Sequence, residues 1–337
     1  MNRKLFFTAW LLTLAATSWA QGPNNSGEYY KAADGKKGAE LKTALCGIIN
    51  PHTQRTYKEL WTDFQKTDAL PNGKVWDMYS NLREMEFGTD QAGNYKKEGD
   101  VYNREHSFPK SWFNDEYPMY TDLFHLYPTD GWVNNARGND PFGEVGSTYK
   151  ASANNFSKWG SARSDLGYSG SIFEPNDEYK GDFARTYFYM VTSYESYTNS
   201  NGQARQITSW SCPMLDGKLY PGFSDWALKM LMKWAKNDPV SEKETNRNNA
   251  VYGIQNNRNP FIDYPGLEEY IWGDKVDEAF SYDNYSTDIQ DIMAEGLKDG
   301  NQGTKIYSAD GLLRQTYQRG INIMKQKNGR TRKVMKK

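Results

Sequence analysis

Residues 103–113 read NREHSFPKSWF and set Glu105 directly beside His106, in a chain of 337 residues with 3 histidines. Pro109 cannot continue a regular strand or helix, so a strand entering this stretch ends close to His106. The pair suits phosphodiester hydrolysis. That reaction needs water deprotonated, charge on the phosphoryl oxygens stabilised and the leaving oxygen relieved of charge. An imidazole serves the first need, because its ordinary pKa of about 6.5 leaves a basic ring at neutral pH. A hard divalent cation serves the other two and takes oxygen ligands, such as a carboxylate and an amide carbonyl. Glu105 offers the carboxylate, and the downstream run VNNARGN offers amide oxygens from Asn134, Asn135 or Asn139. Neighbours on a regular strand point to opposite faces. Joint service to one phosphate therefore requires irregular backbone there, or an ion lying between strand and helix. Taken alone, a Glu-His dipeptide is usually two solvated side chains, and an Asn-rich run is usually a turn.

Outward from this stretch, VWDMYS (75–80) and the segment ending at His106 both read as strands, joined by the polar GTDQAGNYKKEGD. Next comes TDLFHLYPTDGWVNNARGN, a short apolar run broken by Pro128 that leads into a helix with Asp130 as its N-cap. LKTALCGIINPHT has helical spacing at Leu41, Leu45 and Ile48 or Ile49, then stops at Pro51. GDFARTYFYMVTSYES carries a helix face of Phe183, Ala184, Tyr187, Phe188, Val191 and Tyr194. FSDWALKMLMKWAKNDP repeats the pattern at Trp226, Met230, Leu231 and Trp234 before Pro239. Both stripes read as core packing. NRNPFIDYPGLEEYIWG turns at its prolines and closes with a short helix near Gly273.

Residues 1–20 read as a secretory signal peptide: Arg3 and Lys4 open it, an apolar run follows, and Ser18 and Ala20 are small residues suited to cleavage. The run is too short to span a bilayer comfortably, and no later segment is apolar enough to cross one. Gln21, not a cysteine, follows the cleavage point, which argues against a lipid-anchored product. Residues 21–40 are Gly-rich and polar and read as a flexible lead-in; 41–275 read as the globular domain and 276–303 as linker. Residues 304–337 alternate like short strands, with turns at Asp310-Gly311 and Asn328-Gly329 and no acid after Arg319. Alone, such a basic tail suggests nucleic-acid contact.

The formal net charge of −1 becomes −3 once Arg3 and Lys4 leave with the signal peptide, which excludes a broadly cationic nucleic-acid-coating protein. It leaves room for a local cluster that grips one or two phosphates. Cys46 and Cys212 either form one disulfide, permitted by export and stabilising by about 2–4 kcal/mol, or stay as two free thiols. Two cysteines are too few for a cysteine-only metal site. Aromatic residues make up 15% of the chain and suit a carbohydrate-binding or glycan-cleaving surface as an alternative. Glycan cleavage needs two facing carboxylates, and no such pair stands out. A zinc peptidase is a poorer fit still, without a His-Glu-x-x-His run.

In combination the motifs are specific. NREHSFPKSWF followed by DLFHLYPTDGWVNNARGNDPFGEV resembles the secreted endonuclease I family, whose active site is of the ββα-metal, or His-Me finger, type. The likeness continues through FEPNDEYKGDFARTYFYMVTSY, LKMLMKWAKNDPVSEKE and NRNPFIDYP, and covers most of residues 45–273 in order. It implies an α+β fold: a ββα-metal core embedded in a mainly helical domain, followed here by a small all-β segment. It implies His106 as general base, and Glu105 and Asn134 as ligands of one Mg2+ or a similar ion such as Mn2+ or Ca2+. Arg137 then holds either a phosphate or a carboxylate, and Arg185 either a phosphate or a helix-borne ion pair. Asn139 would orient the loop. His125 falls where relatives carry a second histidine in an Asp-Leu-His-His run; Phe124 replaces the first, so His125 reads as structural. His52 has no motif around it. Asn256 and Tyr264 stand where Gly and His are frequent in the family. The implied activity is a largely sequence-nonspecific endonuclease acting on DNA, and on RNA if the 2′-hydroxyl is tolerated, leaving 5′-phosphate ends. The tail IYSADGLLRQ…QRGINIMKQKNGRTRKVMKK is similar to the C-terminal sorting domains of type IX secretion, which implies the secretion machinery as a partner. Nothing in the sequence sets an oligomeric state.

Overall fold

The structure is a computed structural model that describes residues 22–285 and, by backbone alone, four short strands beyond them. The segment expected to be a flexible lead-in is packed instead. Tyr30 is fully buried, donates to Asp263 Oδ2 at 2.7 Å and meets the Tyr264 ring edge-on at 5.1 Å. A buried ring with a satisfied hydroxyl outweighs the conformational freedom of its Gly-rich surroundings. Helix α1 (Gly38–Ile49) then buries Leu41, Leu45 and Ile49, as their spacing predicts. Helix α2 (Leu60–Thr67) follows. The expected signal peptide lies outside the described residues.

Strand β1 (Tyr102–His106) pairs antiparallel with β2 (Leu126–Asp130), in a register running from Tyr102↔Asp130 to His106↔Leu126. Residues 75–80, also expected to be a strand, are not one. The Asp77 carboxylate is used as a hub, accepting from the backbone N–H groups of Tyr79, Ser80 and Asp130. A side chain that satisfies local N–H groups competes with a ladder, which explains the failed expectation. Pro128 does not break its run either. It sits inside β2 opposite Arg104, tolerated because the ribbon has only two strands.

Helix α3 (Gly131–Arg137) leaves β2 without an intervening loop. Asp130 Oδ1 caps it, accepting from the N–H groups of Trp132 and Val133 at 2.9 Å each, while Oδ2 accepts from Gly99 at 2.6 Å. Asp130→Ala is expected to cost roughly 1–2 kcal/mol by removing this cap and leaving buried donors unpaired. A urea midpoint equal to wild type would show the cap to be dispensable.

Beyond α3, strands β3 (Val145–Ala151), β4 (Lys158–Ala162) and β5 (Ser171–Glu174) form an antiparallel sheet in that order. Helix α4 (Lys180–Ser193) was expected to present one apolar face, yet it is buried on every side from Gly181 to Ser193. Its polar side chains find internal partners, which is how a central helix tolerates them. A hairpin of β6 (Ser196–Thr198) and β7 (Ala204–Gln206) leads to α5 (Asp225–Asn237), α6 (Glu242–Gln255), α7 (Pro260–Asp263) and α8 (Leu267–Trp272).

Helices α4 and α6 together anchor the approach to β2. Tyr189 and Tyr194 donate to Asp122 Oδ2 at 2.7 and 2.6 Å, and Gln255 accepts from the Leu123 N–H at 2.6 Å. Arg247 donates to the carbonyls of Leu123 and Leu126, both at 2.8 Å. The position of the β1–β2–α3 unit is therefore dictated by core side chains far away in sequence.

The expected linker begins later than residue 276: Phe280 is buried, with its ring 4.9 Å from that of Tyr264. Further on, β8 (Lys305–Ser308), β9 (Leu313–Arg314), β10 (Gly320–Lys325) and β11 (Thr331–Lys336) pair antiparallel in the order β11-β10-β8-β9. The expected turn dipeptides Asp310-Gly311 and Asn328-Gly329 lie outside the described residues. Among the described residues no helix is long and apolar enough to cross a membrane.

Candidate active site

Glu105 leaves β1 toward α3. Its Oε1 accepts from Arg137 Nη1 at 2.5 Å and from Tyr79 OH at 2.8 Å, and Arg137 Nη1 also contacts that hydroxyl at 2.9 Å. The guanidinium is buried; it donates further to the carbonyls of Ser107 at 2.8 Å and Asp140 at 3.2 Å, and lies 4.2 Å over the Phe142 ring. Ionic and phenolic neighbours raise its pKa further, against the effect of burial, so it is a permanent cation. One carboxylate oxygen is thus pinned. The other, Oε2, has no partner among the described residues and is not sealed from solvent.

His106 is the last residue of β1 and points to the opposite face, as strand alternation requires. Its Nε2 lies 3.0 Å from the Tyr120 carbonyl, and its ring is flanked by Tyr57, Tyr120 and His125 with centroids at 6.1, 5.1 and 5.5 Å. A carbonyl can only accept, so Nε2 carries the proton and Nδ1 holds the free lone pair. Burial, then the neighbouring His125, hold the ring well below its usual pKa, so it stays neutral. The residue keeps 7% of its surface exposed, and Nδ1 is neither bonded among the described residues nor sealed. The imidazole is packed, but its basic edge is open.

Asn134 lies one helical turn before Arg137 on α3, on the same face. It is half-buried, and its side-chain amide makes no hydrogen bond among the described residues. Glu105 Oε2 and this amide are oxygen donors of the kind a hard cation takes, and two protein ligands leave room for waters and phosphate oxygens. No three His, Cys, Asp or Glu side chains converge as a metal cage among the described residues.

The sequence of this region decides the kinship. The description "Endonuclease I" matches residues 37–266, most of the chain. The chain belongs to the Endonuclease I family. Among its relatives, an extracellular ribonuclease of Bacillus amyloliquefaciens is 37% identical over 72% of this chain and 78% of its own length. One from Bacillus subtilis (strain 168) is 36% identical over 79% of this chain and 84% of its own. An Endonuclease-1 of Buchnera aphidicola subsp. Acyrthosiphon pisum (strain APS) is 25% identical over 42% of this chain and 44% of its own. Membership supports nuclease activity at the family level and leaves the glycan alternative without support.

Within this Endonuclease I scaffold, both arginines considered for phosphate are buried and hold carboxylates. Arg137 holds the Glu105 carboxylate, and Arg185 makes a buried fork with Glu244 at 2.5 and 2.8 Å plus a bond to the Asp238 carbonyl. Of the two alternatives open for each, the carboxylate contact is the one observed. His125 is fully buried, with Nε2 2.7 Å from the Met119 carbonyl, and buttresses His106 from behind. Asn139 is exposed just beyond α3, and His52 sits apart with Nδ1 on the Asn50 carbonyl. Cys46 and Cys212 are free: the Cys46 thiol donates to the Ser193 carbonyl, and burial pushes both thiols up in pKa. Asn256 ends α6 at φ 64°, a left-handed position where Gly or Asn is suited, which accounts for that departure from the family. Tyr264 is buried and donates to the Tyr282 carbonyl, a packing role. Sequence reading missed Tyr79, whose only signal is a tyrosine within VWDMYS.

Proposed function

We propose that this protein is a secreted, metal-dependent nuclease of the ββα-metal type that hydrolyses phosphodiester bonds in DNA and RNA, leaving 5′-phosphate ends. The carrying observation is the open Glu105 Oε2 and open His106 Nδ1 on adjacent residues at the end of β1, with an unengaged Asn134 one helical turn before the Arg137 that holds Glu105. His106 Nδ1 takes a proton from the attacking water, and the Tyr120 carbonyl, already receiving Nε2–H, stabilises the imidazolium that forms. Arg137 and Tyr79 fix the Glu105 carboxylate so that one oxygen always faces outward. A divalent ion held by Glu105 and Asn134, when bound, supplies electrostatic stabilisation of the phosphoryl oxygens and the departing 3′-oxygen.

RNA enters because two relatives are named extracellular ribonucleases, a name that also favours export, and DNA because the family resemblance of the motifs implies it. Contacts to phosphates carry no sequence information, so little sequence preference is expected. The four-stranded sheet after residue 304 serves, on this reading, as a type IX sorting domain that engages the secretion machinery.

Removing divalent ions should abolish cleavage of both plasmid DNA and a long RNA, and adding Mg2+ should restore it. Digestion unaffected by chelator would defeat the metal-dependent reading. A polysaccharide cleaved in the same assay would revive the glycan alternative.

A further inference from the structure

His106 shares its face of β1 with Arg104, two residues earlier. Every other arginine in residues 22–285 pairs with a carboxylate: Arg55, Arg83, Arg137, Arg163, Arg185, Arg205, Arg247 and Arg258. Arg104 has no acidic partner among the described residues. Its guanidinium carbon lies 3.4 Å over the Tyr57 ring and 4.2 Å over the Trp61 ring, and Nη1 donates to the Tyr57 carbonyl at 2.6 Å. Nε and Nη2 carry no partner among the described residues and are not sealed from solvent.

Two rings and a carbonyl fix the fork in place without cancelling its charge. Part of the solvation an exposed arginine enjoys is therefore given up, and no carboxylate repays it. The arrangement leaves a positioned pair of donors that an anion can use. The Tyr57 ring that carries the guanidinium also lies nearly parallel to the His106 ring, with an interplanar angle of 20°. The waiting fork and the proposed base are thus joined by one aromatic plate.

We propose that Arg104 is a substrate-binding residue that takes a phosphate neighbouring the scissile one, so that the site requires a polynucleotide rather than an isolated phosphodiester. This rests on the nuclease reading above. Planar guanidinium N–H groups match two phosphate oxygens, and a contact one phosphate away orients the chain without touching the reacting atoms. Tyr57 is then a positioning residue, acting through Arg104.

The test compares two substrates on the full chain without its signal peptide. One is an oligonucleotide; the other is bis(p-nitrophenyl) phosphate, a diester with no neighbouring phosphate. Arg104→Met should lower kcat/KM on the oligonucleotide by roughly 10–100-fold, mostly through KM, as expected for loss of a charge-assisted contact. It should leave the small diester within about twofold. The slope of log affinity against log salt should fall by about 0.7 for a single strand, one phosphate's share. Arg104→Lys should keep that slope while losing affinity, and Tyr57→Ala should reproduce the KM effect, with Tyr57→Phe near wild type. Equal losses on both substrates would place Arg104 at the reacting phosphate or in folding, and overturn the proposal. So would no loss on either. If the wild-type protein cuts neither substrate, the nuclease reading fails by itself. Anisotropy of a labelled oligonucleotide in chelator then decides Arg104 separately: weaker binding by Arg104→Met supports the subsite, equal binding removes it.

Discussion

His106→Ala is expected to lower nucleic-acid turnover by roughly 10²–10⁴-fold, the usual worth of a positioned general base. The loss should appear in kcat with KM little changed, because the ring deprotonates water and is not asked to bind substrate. The fold should survive. His106 contributes one hydrogen bond to the Tyr120 carbonyl and ring contacts at the end of a two-stranded ribbon, and the core lies behind it around α4. Added imidazole provides a second readout. The vacated space is bounded by Tyr57, Tyr120 and His125, so a free imidazole can enter it and accept the proton, restoring part of the rate. A variant that digests plasmid and RNA at the wild-type rate would remove His106 from the mechanism. Lost activity together with a collapsed melting transition would assign the residue to folding instead.

How much of this was legible before the structure depends on what kind of fact was being read. Periodicity and caps are local, and they read correctly: α1, α5, the strand ending at His106 and the Asp130 cap all stand where the residues suggested. Partnership is not local. VWDMYS looks like a strand because its apolar residues recur, but Asp77 spends its carboxylate on three backbone N–H groups and the pairing goes to residues 126–130. Arg137 and Arg185 could be left only as phosphate or carboxylate partners, because a sequence shows a charge and not the acid that absorbs it. Arg104 was passed over for the converse reason: its distinction is an absence, visible only once every neighbouring acid has been placed. Tyr30 was assigned to a flexible segment because composition averages over a window, whereas one buried ring bonded to Asp263 is enough to dock it.

The second large effect concerns Arg137, and it separates architecture from chemistry. Arg137→Met should destabilise the protein by about 3–5 kcal/mol, because it leaves the buried Glu105 carboxylate with Tyr79 as its remaining donor. For a domain of this size that corresponds to a fall in Tm on the order of 10 °C. Activity should fall as well, since an unpinned carboxylate no longer presents Oε2 in one direction. The double variant Arg137→Met with Glu105→Gln tells the two losses apart. Removing the charge removes the main reason for the instability, so a large part of the lost Tm should return, while nuclease activity stays absent because the outward-facing carboxylate oxygen is gone. The coupling between the two substitutions should be 0.5–3 kcal/mol, the range for residues in one buried network. Additive Tm losses would mean that Arg137 supports the fold through Ser107, Asp140 and Phe142 alone. Recovered activity in the double variant would mean that Glu105 holds no ion, and the proposed chemistry would have to be rebuilt around His106 without it.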